Sequence, residues 1–243
     1  MPTALSRTAL SRTPLSPTER TVATRGRHRM LSERDRLHAF LAESVVAHLG
    51  VVVGDRPVVL PMAFAADLAG PDPGGSLYLH GSVAAGWLDR ALGAPVCVTV
   101  TELDGLVLAR SGFHHSMNYR SAVVIGTVRR VEDSSERRRA LDLIIDQMMP
   151  GRAATLRPPT KKELAATAVL AVPLREASLK VREGGPVDDE QDLDAPVWAG
   201  HIPIRRVAGP PITAPDSRIR SAPHTSSLAA RGGRPGGERP EDG

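Results

Sequence analysis

The chain has 243 residues, 41% hydrophobic and only 3% aromatic, enough apolar material for one large core or two small ones built from Val, Leu, Ile and Ala. So few aromatic rings argue against a stacking platform for single-stranded nucleic acid. The formal charge of +4 gathers at the front, where Arg7, Arg12, Arg20, Arg25, Arg27 and Arg29 face only Glu19, so it marks a basic arm and not a nucleic-acid-binding face.

Cys97 is the one cysteine, which excludes an intramolecular disulfide and a Cys-rich zinc site, and an apolar strand suits it as core filler. No apolar run approaches the ~20 residues that span a bilayer, and the start lacks the apolar stretch of a signal peptide. A soluble, cytoplasmic protein without a membrane partner is the expectation. Residues 3–16 repeat with a period of five (TALSR, TALSR, TPLS) that fits neither helix nor strand, and Pro14 and Pro17 interrupt any helix. Residues 1–29 are expected to form a disordered basic extension, residues 30–215 one domain, and residues 216–243, rich in Gly, Pro, Ser and Arg, a disordered tail.

Ser32 is placed to cap a helix reaching about His48, with Leu37, Phe40, Leu41, Ser44, Val45 and His48 on one face. His38 and His48 read as helix-surface residues. Leu49–Val53, the turn Gly54-Asp55-Arg56 and Pro57–Met62 form a hairpin signature, with Pro61 marking an edge or a bulge. Asp67 to Gly75 is longer than a tight hairpin needs and reads as an insertion or a lid. Leu77–Ser82 is a strand running through a glycine turn into a helix at about Ala84–Leu92. Such a junction presents free N–H groups and a positive dipole end, which makes His80, Gly81 and Ser82 a candidate phosphate site.

Pro95–Leu103 alternates as a strand and Asp104-Gly105 reads as its hairpin turn. The stretch Leu106 to Thr127, LVLARSGFHHSMNYRSAVVIGT, then sets two apolar strands around Arg110, Ser111, His114, His115, Ser116, Asn118, Tyr119, Arg120 and Ser121. Unpaired donors are costly to bury, at ~1–3 kcal/mol each, so these residues line a cavity for a polar, anionic ligand or lie in a polar hairpin loop. Beyond them a helix runs from Asp133 or Ser134 to about Met149, and Thr160 caps a short helix that enters the strand Ala168–Val172. Leu179–Glu183 reads as a turn or strand start, the acidic run Asp188–Asp194 as a solvated loop without calcium-loop spacing, and Pro196–Ile204 as the last strand. Six or seven strands with three or four helices, in hairpin order, argue for a mainly β, α+β fold: a closed antiparallel barrel with peripheral helices.

The run RSGFHHSMNYRS followed by an apolar strand resembles the central signature of the flavin-nucleotide-binding branch of the pyridoxamine 5'-phosphate oxidase-like family. LYLHGS at Leu77–Ser82, PVCVTVTELDGLVLARS at Pro95–Ser111 and PVWAGHIPI at Pro196–Ile204 extend the likeness to residues 22–215. The resemblance implies a split antiparallel β-barrel, a homodimer, and FMN in a groove at the subunit interface. It implies that the strand end Val59-Leu60-Pro61-Met62 runs beneath the flavin ring and that His80, Gly81 and Ser82 lie on the phosphate side. Relatives carry a basic residue in the next helix turn, where this chain has Ala84, Ala85, Gly86 and Trp87.

On this reading the protein is an FMN-dependent oxidoreductase of a small molecule. Arg110 and Arg120 are the partners for phosphate or reduced ring, Ser111, Tyr119 and Ser121 contact ring edge or ribityl chain, and Asn118 turns the loop. No general acid stands out; His114 and His115 are the candidates, and adjacent strand residues face opposite ways. The alternatives are a flavin- or nucleotide-binding module without turnover, and a haem protein whose axial imidazole comes from His80, His114 or His115. Pyridoxamine phosphate oxidation itself is not expected, because basic clusters for the substrate phosphate have no counterpart, whereas nitro-compound reduction stays open.

Overall fold

The computed structural model describes residues 14–15, 18–219, 221–222 and 228. The chain divides into two compact units: Met1–Leu103 with Asn118–Gly184, and Asp104–Met117 with Gly185–Gly243.

The first unit is organised by two-residue alternation. Strand β2 (Val46–Val53) buries Ala47, Leu49 and Val51 and exposes Val46, His48 and Val52, the period of a strand with one face on a core. Helix α1 (Arg34–Glu43) therefore stops well short of His48. The apolar positions that suggested a longer helix fit both periods as far as Val45, and from Val46 only the strand period buries the right residues. Its last carbonyls are satisfied by side chains from near and far, since the Ser44 hydroxyl donates to Phe40 O at 3.1 Å and Gln147 Nε2 donates to Leu41 O at 2.8 Å.

A two-residue turn at Gly54-Asp55, with Gly54 at φ 66°, joins β2 to β3 (Arg56–Asp67). Strand β3 runs on through Pro61. Its partner β4 (Ser76–Ser82) pairs only with Phe64–Asp67, so β3 has a free side at Pro61, where a residue without an N–H is tolerated. Next come helix α2 (Leu88–Ala91), β5 (Pro95–Leu108), β6 (Ser116–Thr127), β7 (Arg129–Arg130), helix α3 (Ser134–Met148), helix α4 (Lys161–Ala166), β8 (Thr167–Pro173) and β9 (Ala177–Arg182). With β1 (Met30–Leu31) the strand order is β1-β9-β6-β5-β2-β3-β4-β8-β7. The path ends at β1 and β7 without joining them, so the sheet is a split barrel and full closure is not reached.

Caps follow the sequence. Asp133 accepts from the Glu136 N–H at 2.7 Å at the start of α3, and Thr160 with Glu163 forms a capping box on α4. The inner sheet face holds the main core, including Leu37, Phe40, Leu49, Phe64, Leu79, Val98 and Leu170. On the outer face, Tyr78, Ala65, Val169 and Ala171 pack with Ala140 and Ile144 of α3, so that helix covers β3, β4 and β8.

The front of the chain is held where it is described. Pro14 bridges to Glu33, Leu15 is 6% exposed within the main core, and Thr18 and Arg20 both bond Glu176. The extension expected to be loose as far as residue 29 is therefore anchored at these points. Residues 1–13 of the repeat lie outside the described residues, as does most of the tail beyond residue 219.

In the second unit the last part of β5 pairs with β10 (Gly200–Pro203), Leu106 opposite Ile202 and Leu108 opposite Gly200. Asp104-Gly105, expected as a hairpin turn, is instead continuous strand. Gly105 is needed there for close approach, because a Cβ would sit 2.9 Å from Ile202 O. The reversal comes later, through a 3-10 turn at Gly112–His114. Among the described residues no helix is long and apolar enough to cross a membrane.

Candidate functional site

Among the described residues no helix packs on the outer face of β2, β5, β6 and β9, and a row of polar side chains crosses it. Register carries the row from strand to strand: Pro61 opposite His48, His48 opposite Thr99, Ser121 opposite Lys180. Thr101, two residues from Thr99 on the same face, closes the middle with a 3.1 Å hydroxyl bond to Ser121. Tyr119 lies two residues from Ser121 on the same side. The row has four hydroxyls, from Thr99, Thr101, Ser121 and Tyr119, an imidazole and an ammonium, and no carboxylate among its members. That donor set suits an anionic ligand rich in hydrogen-bonding groups.

His80 stands at the margin of this bare face. It follows Tyr78 on the α3 side of β4 and pairs with Val169. Its Nδ1 is shut from solvent without a hydrogen-bond partner, and burial holds the imidazole below its ordinary pKa, in the neutral form. No charged neighbour contributes to that shift. His38 has a similar orphan at Nε2, but Arg34 and Asp35 both act on it.

The other expected residues are placed elsewhere. Leu60 and Met62 pair with the fully buried Leu49 and Ala47 and so share the inner face, where Met62 packs on the core; of that trio only Pro61 faces the row. Arg120 bonds Glu43 and stacks 5.4 Å over the Phe40 ring. Asn118 is buried, donating to Gly184 O at 3.1 Å and accepting from Arg182, so it ties the strand end. Gly81 is overlain by the Trp87 indole, whose nearest carbon would lie 3.1 Å from an added Cβ. Ser82 Oγ accepts from the Ala84 N–H at 3.2 Å. The expected helix at Ala84–Leu92 shrinks to Leu88–Ala91, because turns at Ala85 and Leu88 consume the intervening residues. The dipole argument for a phosphate at Ser82 is lost with it.

In the second unit, Asp188 accepts from both the Arg110 N–H and Nη1, each at 2.9 Å. The acidic run expected to be solvated thus supplies an almost fully buried carboxylate that latches the central motif. Asp188 lies below the usual carboxylate range: burial pushes it up, and the Arg110 hydrogen bonds more than offset this. His114 Nε2 lies 3.1 Å from Asp189 Oδ2 without making a hydrogen bond, and Phe113 meets its ring edge-on. His115 Nδ1 is 2.9 Å from Ser111 O, while Ser111 Oγ is buried and unpartnered.

Residues 33–181 match the family described as pyridoxamine 5'-phosphate oxidase. The chain belongs to that family. Among solved structures, this pyridoxamine 5'-phosphate oxidase family member is similar to the flavocytochrome Anf3 from Azotobacter vinelandii, at 34% identity and TM-score 0.78 over 88% of this chain and 97% of that one. It is also similar to the FAD and heme binding protein from Mycobacterium smegmatis, at 38% identity and TM-score 0.74 over 83% and 97% of the two chains. No curated protein matches the chain.

Sequence reasoning about this family member missed His48, Thr99, Thr101 and Lys180. The alternation of Val96, Val98 and Val100 against Cys97, Thr99 and Thr101 was the available signal: the buried valines already put both threonines on the opposite face.

Proposed function

We propose that this family member is a two-cofactor redox protein, binding a flavin along the bare sheet face and a haem through His80. The observation that carries the reading is near-full-length likeness to two proteins whose descriptions both join a flavin to haem. A bound flavin would supply hydride and electron chemistry, and a haem single-electron and oxygen chemistry.

The chain's own residues fit these groups. Lys180 and the Thr99, Thr101 and Ser121 hydroxyls offer charge-assisted and neutral hydrogen bonds to phosphate and ribityl oxygens. The row crosses four strand spacings, about 19 Å, a length suited to an extended dinucleotide, which favours FAD over the FMN implied by the central motif. His80 is held neutral by burial, as an iron ligand must be. Of the three candidate imidazoles, His114 faces Asp189 and His115 is engaged with Ser111 O, whereas His80 Nδ1 has no hydrogen-bond partner.

The test is optical and then kinetic. The purified protein should show flavin absorption with a Soret band, and FAD should be released on denaturation. Mixing with a reduced nicotinamide should bleach the flavin before the haem spectrum changes. A colourless protein, or one whose flavin never reduces, would overturn the reading.

A further inference from the structure

A cavity of about 220 Å³ lies in the first unit, between the segment that leads into α1 and the start of β9. Leu15, Val22, Met30, Leu31 and Ala177 give it apolar walls, and Arg27 is the one charged side chain among its described lining residues. None of the residues of the polar row lines it, and neither does His80.

Its roof is built by the protein's own bonds. The Leu15 N–H donates to Ser32 O at 2.8 Å, the Thr18 hydroxyl and Arg20 Nε both donate to Glu176 Oε1, and β1 lies against β9 with Leu31 opposite Leu179. Leu15 itself joins the main core. These contacts order the roof whether or not a guest is bound, which is the condition for a largely pre-formed small-molecule site.

Charge selects the guest. Residues 20–31 carry Arg20, Arg25, Arg27 and Arg29 and no carboxylate, so the mouth of the cavity sits in a positive potential. Arg20 is engaged with Glu176. Arg27 Nε donates to Ala23 O at 3.2 Å, which orients the guanidinium, and no described carboxylate pairs with its two Nη groups. Because Arg27 is exposed, an anion it grips stays partly hydrated and avoids the cost of burying a charge. An inorganic anion would leave the apolar walls unmatched, and a cationic amphiphile would be repelled. At about 30 Å³ per heavy atom, a water's share of liquid volume, the hollow takes a tail of roughly seven carbons. We propose that this cavity binds a free medium-chain carboxylate, with its acyl tail among Leu15, Val22, Met30 and Leu31 and its carboxylate held in the fork of Arg27. The inference does not depend on which cofactor the chain holds.

Isothermal titration calorimetry of the full chain, with octanoate as the probe, tests it. Wild type should bind octanoate with a Kd below about 100 μM and a negative heat-capacity change, the mark of apolar burial. Hexanoate, two methylenes shorter, should bind about tenfold more weakly, and octylamine should give no binding heat. Arg27→Gln should weaken octanoate at least about tenfold. Val22→Trp, at a position outside every strand and helix, should fill the hollow and abolish binding. Both variants should keep the wild-type Tm when no probe is added. No binding heat at millimolar octanoate would overturn the proposal. So would octanoate binding indifferent to both variants, or octylamine binding as tightly as octanoate.

Discussion

Replacing Arg129 by Gln should loosen the Asp67–Gly75 loop and lower stability. Arg129 Nε and Nη2 each lie 2.7 Å from an Asp72 oxygen, and Nη1 lies 3.1 Å from Glu136 Oε2. Ser76 also donates to Asp72, at 2.6 Å, and the Tyr78 hydroxyl donates to Glu136 at 2.9 Å. Burial and the Glu136 carboxylate together push that phenol up to about 12. The loop that read from sequence as a lid or an insertion is therefore pinned to α3 at two points: Arg129 joins Asp72 to Glu136, and Arg139 of α3 bonds Asp67 at the loop's start. Removing the cation from a buried pair costs about 3–5 kcal/mol. Arg129 is 35% exposed, so solvent screening trims the expected loss to about 2–3 kcal/mol, or about 4–12 °C in Tm for a chain of this size.

The pH dependence carries the sharper signature. Burial pushes the Asp72 carboxyl up, but the Arg129 and Ser76 hydrogen bonds more than offset this and leave it below the ordinary range. A depressed acid contributes its stability above its unfolded pKa and loses it as pH falls through the folded value. The gap between wild type and Arg129→Gln should therefore be full at neutral pH and narrow below about pH 4, as differential scanning fluorimetry would show. A variant melting within about 1 °C of wild type at neutral pH, or a gap that widens with acid, would refute the reasoning.

Lys180→Gln and Ser121→Ala should each weaken flavin retention by about tenfold, the worth of one charge-assisted or well-aligned hydrogen bond. Tm of the cofactor-free chain should barely move, as equilibrium dialysis and calorimetry would show. Gln147→Ala should uncap α1 by removing the donor to Leu41 O and Ser44 O; a loss of about 1–2 kcal/mol in urea unfolding is expected. His80→Gln should abolish the Soret band while the flavin spectrum persists, and resonance Raman would show the iron–histidine mode gone.

The fold was legible wherever one periodicity ruled. β2 and β3 with their Gly54-Asp55 turn, α3 with its Asp133 cap, and α4 with Thr160 follow from alternation, helical spacing and capping chemistry. The boundaries failed where two rules overlapped. Helix α1 was read too long because Ser44 and Val45 continue a helical face while β2 is about to begin, and no local signal shows that Gln147, more than a hundred residues away, closes the helix end. Asp104-Gly105 has the composition of a turn, and only the approach of Ile202 shows why a glycine stands inside a strand.

The site was half legible. Pro61, His80, Tyr119 and Ser121 lie on or beside the bare face, but Arg110 and Arg120, the residues with the most obvious chemistry, are committed to Asp188 and Glu43. Which carboxylate reaches a guanidinium depends on tertiary approach, and a charge run such as Asp188–Asp194 looks the same whether it is solvated or latched.

The most direct measurement is the cofactor content of the purified full-length chain, by pyridine haemochrome assay and chromatography of the released flavin on one sample. The account predicts FAD and haem together, each stoichiometric with protein. Haem without flavin, flavin without haem after haem reconstitution, or neither would contradict it.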